Sequence, residues 1–193
     1  MDIQFVSRQK LTPAEFAAFV EKGIPADGFR YELIRGHVVM EPPAGYEHGR
    51  LGARLVHLIH QALGERDLGV VFDSSAGFEL PTGDTLEPDA AFVSRARLAR
   101  VPDQDPRRFI RAVPDLVVEI ASPSTRARDA TEKKRIYRES GVEEYLLVDP
   151  ENRTVTCFRF GSEASSGEIL RGPDIYRSQV VPDFELTIDR LFG

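Results

Sequence analysis

Apolar residues recur at the spacing of an α-helix in three stretches of the chain. The first helix begins at Thr12-Pro13-Ala14-Glu15, where Thr12 can cap the backbone, Pro13 suits the first turn and Glu15 completes a capping box. The second runs over about 46–66 and carries its apolar residues on one face. The third covers 129–140 and is closed by Gly141.

Strand patterns occupy most of the remaining chain. Tyr31–Ile34 and His37–Met40 flank Arg35-Gly36 and predict a β-hairpin. Leu116–Ile120 is apolar except for Glu119, as in a strand that is buried on both faces. The other predicted strands are Val70–Phe78, Asp89–Val93, Glu144–Asp149, Thr154–Phe160 and a last one near 175–181.

The segments between these elements read as loops. Residues 95–113 are expected to be irregular or a short helix, and 122–128 and 161–173 to be loops, before a short terminal helix. Because strands alternate with helices, the predicted class is α/β or α+β with a mixed central sheet flanked by helices. A length of 193 residues fits a single domain over 1–193.

Composition narrows the class of protein. Forty-one percent of the residues are hydrophobic, which is typical of a globular chain. One cysteine excludes an internal disulfide framework and a cysteine-rich zinc site. The sequence has neither an apolar run of about 18 residues nor the apolar core of a signal peptide at its N-terminus. We therefore expect a soluble protein of the cytoplasm.

Charge is unevenly distributed along a chain whose net charge is −6 at pH 7. Segment 95–111 holds six Arg and two Asp, and segment 126–138 holds six basic and two acidic residues. The overall acidity argues against a protein that coats nucleic acid non-specifically. The two basic segments are either phosphate-facing patches or solvated faces with ordinary salt bridges.

Glu119 is the first candidate for chemistry, because it is a carboxylate in the most apolar predicted strand. Burying its charge is costly unless a cation compensates it, and either a metal ion or a nearby Arg would do so. A hard divalent cation needs further oxygen ligands, for which the candidates are Asp89, Glu87, Asp115 and Glu32. Asp115 is roughly 13 Å away along the strand, so Asp89 on the neighbouring predicted strand is preferred.

Lys133 is the second candidate. Asp129, Lys133 and Tyr137 have the i, i+4, i+8 spacing of one helical face, from which Lys133 can reach the end of the preceding strand. A lysine beside metal-bound carboxylates can orient a water or stabilise a pentavalent phosphorane. The alternative is a surface Asp–Lys pair worth about 0.3–0.5 kcal/mol. Lys134 is rotated by about 100° and should lie off this face.

These residues belong to a set of motifs that resembles a known family. The motifs are Pro88-Asp89, Pro114-Asp115 with Glu119, Ser122-Pro123-Ser124-Thr125, Asp129-x3-Lys133-x3-Tyr137-x3-Gly141-Val142-x-Glu144-Tyr145 and Val148-Asp149-Pro150. Together they resemble the Uma-type endonuclease family of the restriction-endonuclease-like PD-(D/E)xK superfamily. The Tyr31–Gly36 hairpin, His48 and the ending Pro182-Asp183-Phe184-x-Leu186 with Leu191-Phe192 are also similar, so the resemblance covers roughly 10–192.

The resemblance implies a restriction-endonuclease-like core and a site for one or two Mg²⁺ or Mn²⁺ ions. Asp89 and Glu119 would bind the metal, and Glu32 would be an additional acidic residue near it. The lysine expected two positions after the acid is Ala121 here. Lys133, from the following helix, would supply the missing charge, so that Asp89, Glu119, Glu32 and Lys133 form the catalytic set.

The function expected from this set is metal-dependent hydrolysis of phosphodiester bonds in nucleic acid, with DNA as the first substrate to consider. Both basic segments would hold the backbone, without sequence specificity. Two alternatives remain, a non-catalytic nucleic-acid-binding or assembly module and a hydrolase of a small phosphoester. A homodimer is expected, because cutting both strands is simplest with two copies of a single-site subunit. We derive no role for His48.

Overall fold

The computed structural model describes residues 5–22, 29–161 and 167–193 of the chain. The helices are α1 (Pro13–Glu21), α2 (Tyr46–Leu63), α3 (Arg95–Leu98), α4 (Arg126–Arg128), α5 (Lys134–Ser140) and α6 (Ile188–Phe192). A π-helical turn, Asp129–Lys133, joins α4 and α5 into one continuous helical segment. None of the helices in the described ranges has the length and apolar character needed to cross a membrane.

The strands of the described residues form two larger sheets and one small one. They are β1 (Phe5–Lys10), β2 (Arg30–Ile34), β3 (His37–Glu41), β4 (Gly69–Asp73), β5 (Phe78–Glu79), β6 (Thr85–Leu86), β7 (Ala90–Ser94), β8 (Leu116–Ile120), β9 (Glu144–Asp149), β10 (Thr154–Arg159), β11 (Glu168–Arg171), β12 (Ile175–Arg177) and β13 (Glu185–Thr187). With its flanking helices, this mixed arrangement is the α/β class predicted from the sequence.

The central sheet has six strands in the order β11-β10-β9-β8-β7-β4. β8 and β9 run parallel, with Leu116 opposite Glu144, and the other neighbouring strands are antiparallel. A parallel pair needs a crossover connection, which here is the helical segment from α4 to α5. The crossover starts just after β8, so it brings helical side chains to the end of the strand that carries Glu119.

Both faces of β8 are buried, because helices cover the sheet on each side. Leu116, Val118 and Ile120 pack in the core that α2 covers. Val117 packs in the core that α5 covers. Since successive side chains of a strand alternate in direction, Glu119 points to the same side as Val117. The sequence thus places one carboxylate between the sheet and the crossover helix.

The second sheet has five strands in the order β1-β3-β2-β6-β5 and contains the predicted hairpin. Its turn residues Arg35 and Gly36 have φ angles of 51° and 83°, which is the conformation of a tight two-residue hairpin turn. From this turn the register runs to Arg30 opposite Glu41. The hairpin is confirmed, and it extends by one residue at each end beyond the sequence prediction.

The prediction of a single strand over Val70–Phe78 is wrong. β4 ends at Asp73, and Phe78 begins β5 in the other sheet. The Asp73 carboxylate accepts a hydrogen bond from the backbone N–H of Ser75 at 3.0 Å. The backbone carbonyl of Asp73 accepts another from the backbone N–H of Ala76 at 3.2 Å. A turn capped by one side chain leaves no periodic signal, so the two strands read as one run.

Two other boundaries also differ. The helix predicted over 129–140 begins at Arg126, so 122–128 is only in part a loop. The strand predicted near 175–181 as the last of the chain ends at Arg177. A further strand, β13, follows it and pairs with it. Strands such as β12 and β13 are short and half exposed, and therefore carry little apolar alternation.

The segment 161–173, predicted to be a loop, contains β11, which is the edge strand beside β10. Three of the four residues of β11 are exposed, so its composition looks like that of a loop. The part of this prediction that concerns 162–166 lies outside the described residues.

Glu144 anchors the C-terminal segment to the start of β9. It is 1% exposed and accepts hydrogen bonds from the Tyr176 hydroxyl at 2.7 Å and the Ser178 hydroxyl at 2.6 Å. It also accepts from the backbone N–H of Gln179 at 3.0 Å and forms an ion pair with Arg159 at 3.3 Å. The carboxylate therefore satisfies buried donors from a segment more than 30 residues away.

We expect Glu144→Ala to lower the free energy of unfolding by about 3 kcal/mol or more, because Arg159 and three donors lose their buried acceptor. Urea denaturation measures this loss. The matched control is Glu168→Ala, since Glu168 pairs with the same Arg159 at 3.2 Å but its side chain is 58% exposed. Its loss should stay below about 1 kcal/mol, and equal losses would contradict the anchoring role of Glu144.

Candidate active site

Among the described residues, five buried carboxylates gather at one end of the six-stranded sheet. They are Glu32, Glu41, Asp89, Glu119 and Asp129. Each comes from a different part of the fold: β2, β3, the residue before β7, β8 and the π-helical turn. All four residues that the sequence singled out meet here, since Lys133 lies among the carboxylates. We refer to these five acids as the carboxylate cluster.

The register of β7 against β8 brings Asp89 and Glu119 together. Ala90 lies opposite Val118 in this antiparallel pair, so Asp89 and Glu119 are the next opposing positions. Residues opposite each other in antiparallel strands have Cβ atoms about 5 Å apart. The backbone N–H of Ile120 also donates to Asp89 Oδ2 at 2.7 Å, which fixes the carboxylate at the end of β8.

Lys133 lies at the centre of the carboxylate cluster. Its Nζ is 2.9 Å from Glu32 Oε1 and 3.3 Å from Glu119 Oε1, and it is 3.8 Å from an oxygen of each of Glu41 and Asp129. The side chain is 1% exposed. Burial by itself lowers the pKa of Lys133, but the attraction of these carboxylates outweighs it and holds the pKa well above its ordinary value.

The π-helical turn carries Asp129 and Lys133, whose side chains both face inward. Asp129 and Lys133 are the first and last residues of the turn, and both are buried. One turn later in α5, the Tyr137 hydroxyl donates to Glu119 Oε1 at 2.6 Å. The sequence predicted this shared face from a regular helix, whereas the wider turn that occurs is a feature often found at functional sites.

Three members of the cluster, Glu32, Glu119 and Asp129, have raised pKa values, and burial is the largest cause in each. Burial raises the pKa of Glu32 to about 7, against the opposing attraction of Lys133. Burial also raises the pKa of Glu119 well above its ordinary value, and the negative charges of Asp129 and Asp89 add to the effect. Glu32 Oε2 is buried without a hydrogen-bond partner in the described part of the chain. Burial thus favours the protonated form of these acids, against the attraction of Lys133.

Glu41 is the member that the sequence analysis missed. Its carboxylate contacts Arg128 at 2.9 Å, Arg30 at 3.3 Å and Lys133 at 3.8 Å. Burial raises the pKa of Glu41, but these three cations more than reverse the effect and the pKa lies below its ordinary value. A signal was present, because a two-residue turn at Arg35-Gly36 sets Arg30 opposite Glu41 in the hairpin.

Asp89 is held on its outer side by Arg30 and His48. Arg30 donates to Asp89 Oδ1 at 3.0 Å, and His48 Nε2 lies 3.1 Å from Asp89 Oδ2. Burial raises the pKa of Asp89, but the bonds and charges of His48 and Arg30 and the Ile120 N–H lower it below its ordinary value. His48, for which the sequence indicated no role, thus orients a candidate metal ligand.

Two clefts lead to the carboxylate cluster from the surface. The first, of about 530 Å³, lies between the loop after β3 and the loop after β8, and Glu41 lines it. The second, of about 610 Å³, lies along α2, and Asp89 lines it. Arg30 and His48 line both clefts. Lys133 lines neither, so it lies behind the carboxylates as seen from solvent.

The basic segments predicted from the sequence are largely engaged in ion pairs within the chain. Most arginines of these two segments pair with acidic residues of the described chain: Arg95, Arg97, Arg107, Arg108, Arg126, Arg128 and Arg135. These pairs favour the interpretation of both segments as solvated faces with salt bridges over that of open phosphate patches.

The donor chemistry of the cluster fits a divalent cation. Carboxylate oxygens are the ligands that Mg²⁺ and Mn²⁺ prefer, and the five acids outnumber the three cations that contact them, Lys133, Arg30 and Arg128. In this structure, the ammonium of Lys133 and the guanidinium groups of Arg30 and Arg128 contact the carboxylate oxygens. Within the described ranges, no three His, Cys, Asp or Glu side chains are arranged as a metal site.

The chain is similar to a protein family and to a solved structure. A family model described as Uma2, putative restriction endonuclease, matches residues 15–189. The crystal structure of a putative nuclease belonging to DUF820 from Anabaena variabilis is similar with a TM-score of 0.75 at 20% identity, over 94% of this chain and 97% of that chain. At that identity the likeness shows a shared fold. A search of curated proteins gave no match.

The raised pKa of Glu32 predicts a pH dependence of stability. Between the ordinary carboxyl pKa of 4.5 and about 7, folded Glu32 keeps a proton that the unfolded chain releases. Since the folded state binds more protons in this window, the free energy of unfolding falls as pH rises. Urea denaturation in a chelator should show this decline from about pH 5 to 8, and a smaller one for Glu32→Gln. A parallel decline in both proteins would contradict the assignment to Glu32.

Proposed function

The chain belongs to the Uma2 family, whose members are described as putative restriction endonucleases, and on this premise we propose a metal-dependent endonuclease that hydrolyses phosphodiester bonds of DNA. The observation that carries the proposal is the position of Asp89, directly before β7, which the register of β7 against β8 sets opposite Glu119. Opposing carboxylates at the open end of a buried sheet supply oxygen ligands for a divalent cation.

Asp89 and Glu119 would hold Mg²⁺ or Mn²⁺, and Glu32 would be the additional acid beside them. When bound, such an ion lowers the pKa of a bound water and neutralises charge that develops on a phosphate. His48 and the Ile120 N–H keep the Asp89 carboxylate oriented toward the cleft along α2. The excess of carboxylates over cations supports this assignment, because a divalent cation would relieve it.

Lys133 is best described as a positioning residue. Its ammonium binds Glu32 and Glu119, and the Tyr137 hydroxyl donates to the same oxygen of Glu119, so both groups hold that carboxylate in place. A direct contact between Lys133 and a substrate phosphate has no support, because the side chain lines neither cleft. We propose that the charge of Lys133 lowers the pKa of the neighbouring carboxylates and holds them in place.

A second candidate function is a nucleic-acid-binding module without hydrolysis. It is favoured by Ala121, which lines the first cleft at the position where the superfamily pattern has a lysine. A hydrolase of a small phosphoester is the third possibility, since a cleft of about 530 Å³ is within the size range of small-molecule sites. We propose a homodimer as the assembly that cuts both strands of a duplex.

The test is incubation with plasmid, single-stranded DNA, RNA and a chromogenic phosphodiester in the presence of Mg²⁺ or Mn²⁺. We expect cleavage of DNA that a chelator abolishes. Asp89→Asn and Glu119→Gln should each lower the cleavage rate by about 10²-fold or more and weaken Mn²⁺ binding in calorimetry, because each removes a charged ligand. Glu143→Gln is the control, since Glu143 is an exposed acid that pairs with Arg97 outside the cluster.

The outcomes separate the three candidates. Binding of DNA without cleavage would favour the binding module, and hydrolysis of the chromogenic substrate alone would favour the small-phosphoester hydrolase. Cleavage that persists in the chelator, or in both carboxylate variants, would contradict the proposed metal site.

The positioning role of Lys133 predicts a loss of stability as well as of activity. Lys133→Ala should lower the free energy of unfolding by about 3–5 kcal/mol, because it leaves buried carboxylates without their cation. Lys134→Ala is the control: the Lys134 ammonium lies 4.7 Å from the centre of the Phe158 ring, a contact worth about 1 kcal/mol or less. Chemical denaturation gives both values, and equal losses would contradict a special role for Lys133.

A further inference from the structure

In addition to the metal ion, the proposed reaction calls for a positively charged side chain that contacts the substrate phosphate in a cleft. Negative charge grows on phosphoryl oxygens during hydrolysis, and a positioned donor there stabilises the transition state. Ala121 lines the first cleft without any charge. Lys133 is fully buried and lines neither cleft, so its charge acts from behind the carboxylates.

Arg30 lies at the boundary between the clefts and the carboxylate cluster. Its guanidinium donates to Asp89 at 3.0 Å and to Glu41 at 3.3 Å, and its side chain is 22% exposed. These two bonds use two of the five N–H donors of a guanidinium. The planar, forked group can therefore hold carboxylates on one edge and bind an anion on another.

Other cations near the site are placed less favourably. Arg128 contacts Glu41 as Arg30 does, but its side chain is 10% exposed and lines neither cleft. Arg126 also lines the first cleft, but its ion pairs are with Asp149 and Glu151, which lie outside the carboxylate cluster. Of the lysines and arginines that contact the carboxylate cluster in the described residues, Arg30 alone lines a cleft.

We propose that Arg30 binds the scissile phosphate of the substrate and supplies the positive charge that Ala121 lacks at the cleft. Asp89 and Glu41 hold the guanidinium on its inner side, while Lys133 keeps the carboxylates in place from behind. The inference rests on the proposed nuclease function and names the phosphate-binding residue of that site.

The experiment measures DNA binding in a chelator, where hydrolysis does not contribute. Fluorescence anisotropy follows a short labelled duplex and a short single strand over a series of salt concentrations. Arg30→Gln should raise Kd by about tenfold or more, because a charged hydrogen bond to a phosphate is lost. The slope of log Kd against log salt should fall by about one, the value of one phosphate contact.

Arg128→Gln is the matched control. It removes one positive charge from the same Glu41 carboxylate, so it reproduces any indirect effect of losing an Arg from the network. Because Arg128 does not reach a cleft, we expect its loss to raise Kd by less than about twofold. Arg30→Lys keeps a cation beside Asp89 and should fold if Arg30→Gln does not. It should bind DNA several-fold more weakly, because an ammonium cannot bridge two carboxylates and a phosphate at once.

Two results would overturn the inference while leaving the nuclease function standing. One is an equal loss of DNA affinity in Arg30→Gln and Arg128→Gln. The other is an Arg30→Lys protein whose affinity and salt slope match those of the wild type. If the wild type neither binds nor cleaves DNA, the inference and the proposed function fail together.

Discussion

The structure depends on the burial of five carboxylates around one ammonium group. Separated from water, each carboxylate would cost several kcal/mol without a partner, and Lys133 lies within 4 Å of four of them. This arrangement constrains the two larger sheets and the crossover helix together. The hairpin must bring Glu32 and Glu41 against the end of β8, and the helical segment after β8 must turn the face with Asp129 and Lys133 inward.

The cluster is held together without being neutral. Lys133, Arg30 and Arg128 supply three positive charges among five acids, and burial raises the pKa values of Glu32 and Glu119 despite the attraction of Lys133. An excess of buried negative charge lowers the stability of the folded protein. Under the proposed function, a divalent cation bound at Asp89 and Glu119 would add the positive charge that the cluster lacks.

The cations divide into an inner and an outer group. Lys133 and Arg128 lie behind the carboxylates, whereas Arg30 and His48 border the clefts. Most arginines of the basic segments pair with acids of this chain, so they add little open positive surface. Under the proposed function, a phosphate would be recognised at the clefts rather than along a basic face, with Lys133 in a supporting role and Arg30 in an exposed one.

The sequence by itself determined the hairpin, the buried strand with Glu119 and the helical face with Lys133, because these follow from local spacing. The cost of burying a carboxylate in an apolar strand also singled out Asp89 as the candidate partner of Glu119. The break at Asp73 depends on a single capped turn, which leaves no periodic pattern. Only the tertiary structure decided that Glu41, Arg30 and Arg128 join the cluster and that Lys133 faces away from the clefts. These contacts join residues as far apart in the chain as Glu41 and Lys133, and which side of a charged residue meets solvent depends on how both sheets pack against the crossover helix.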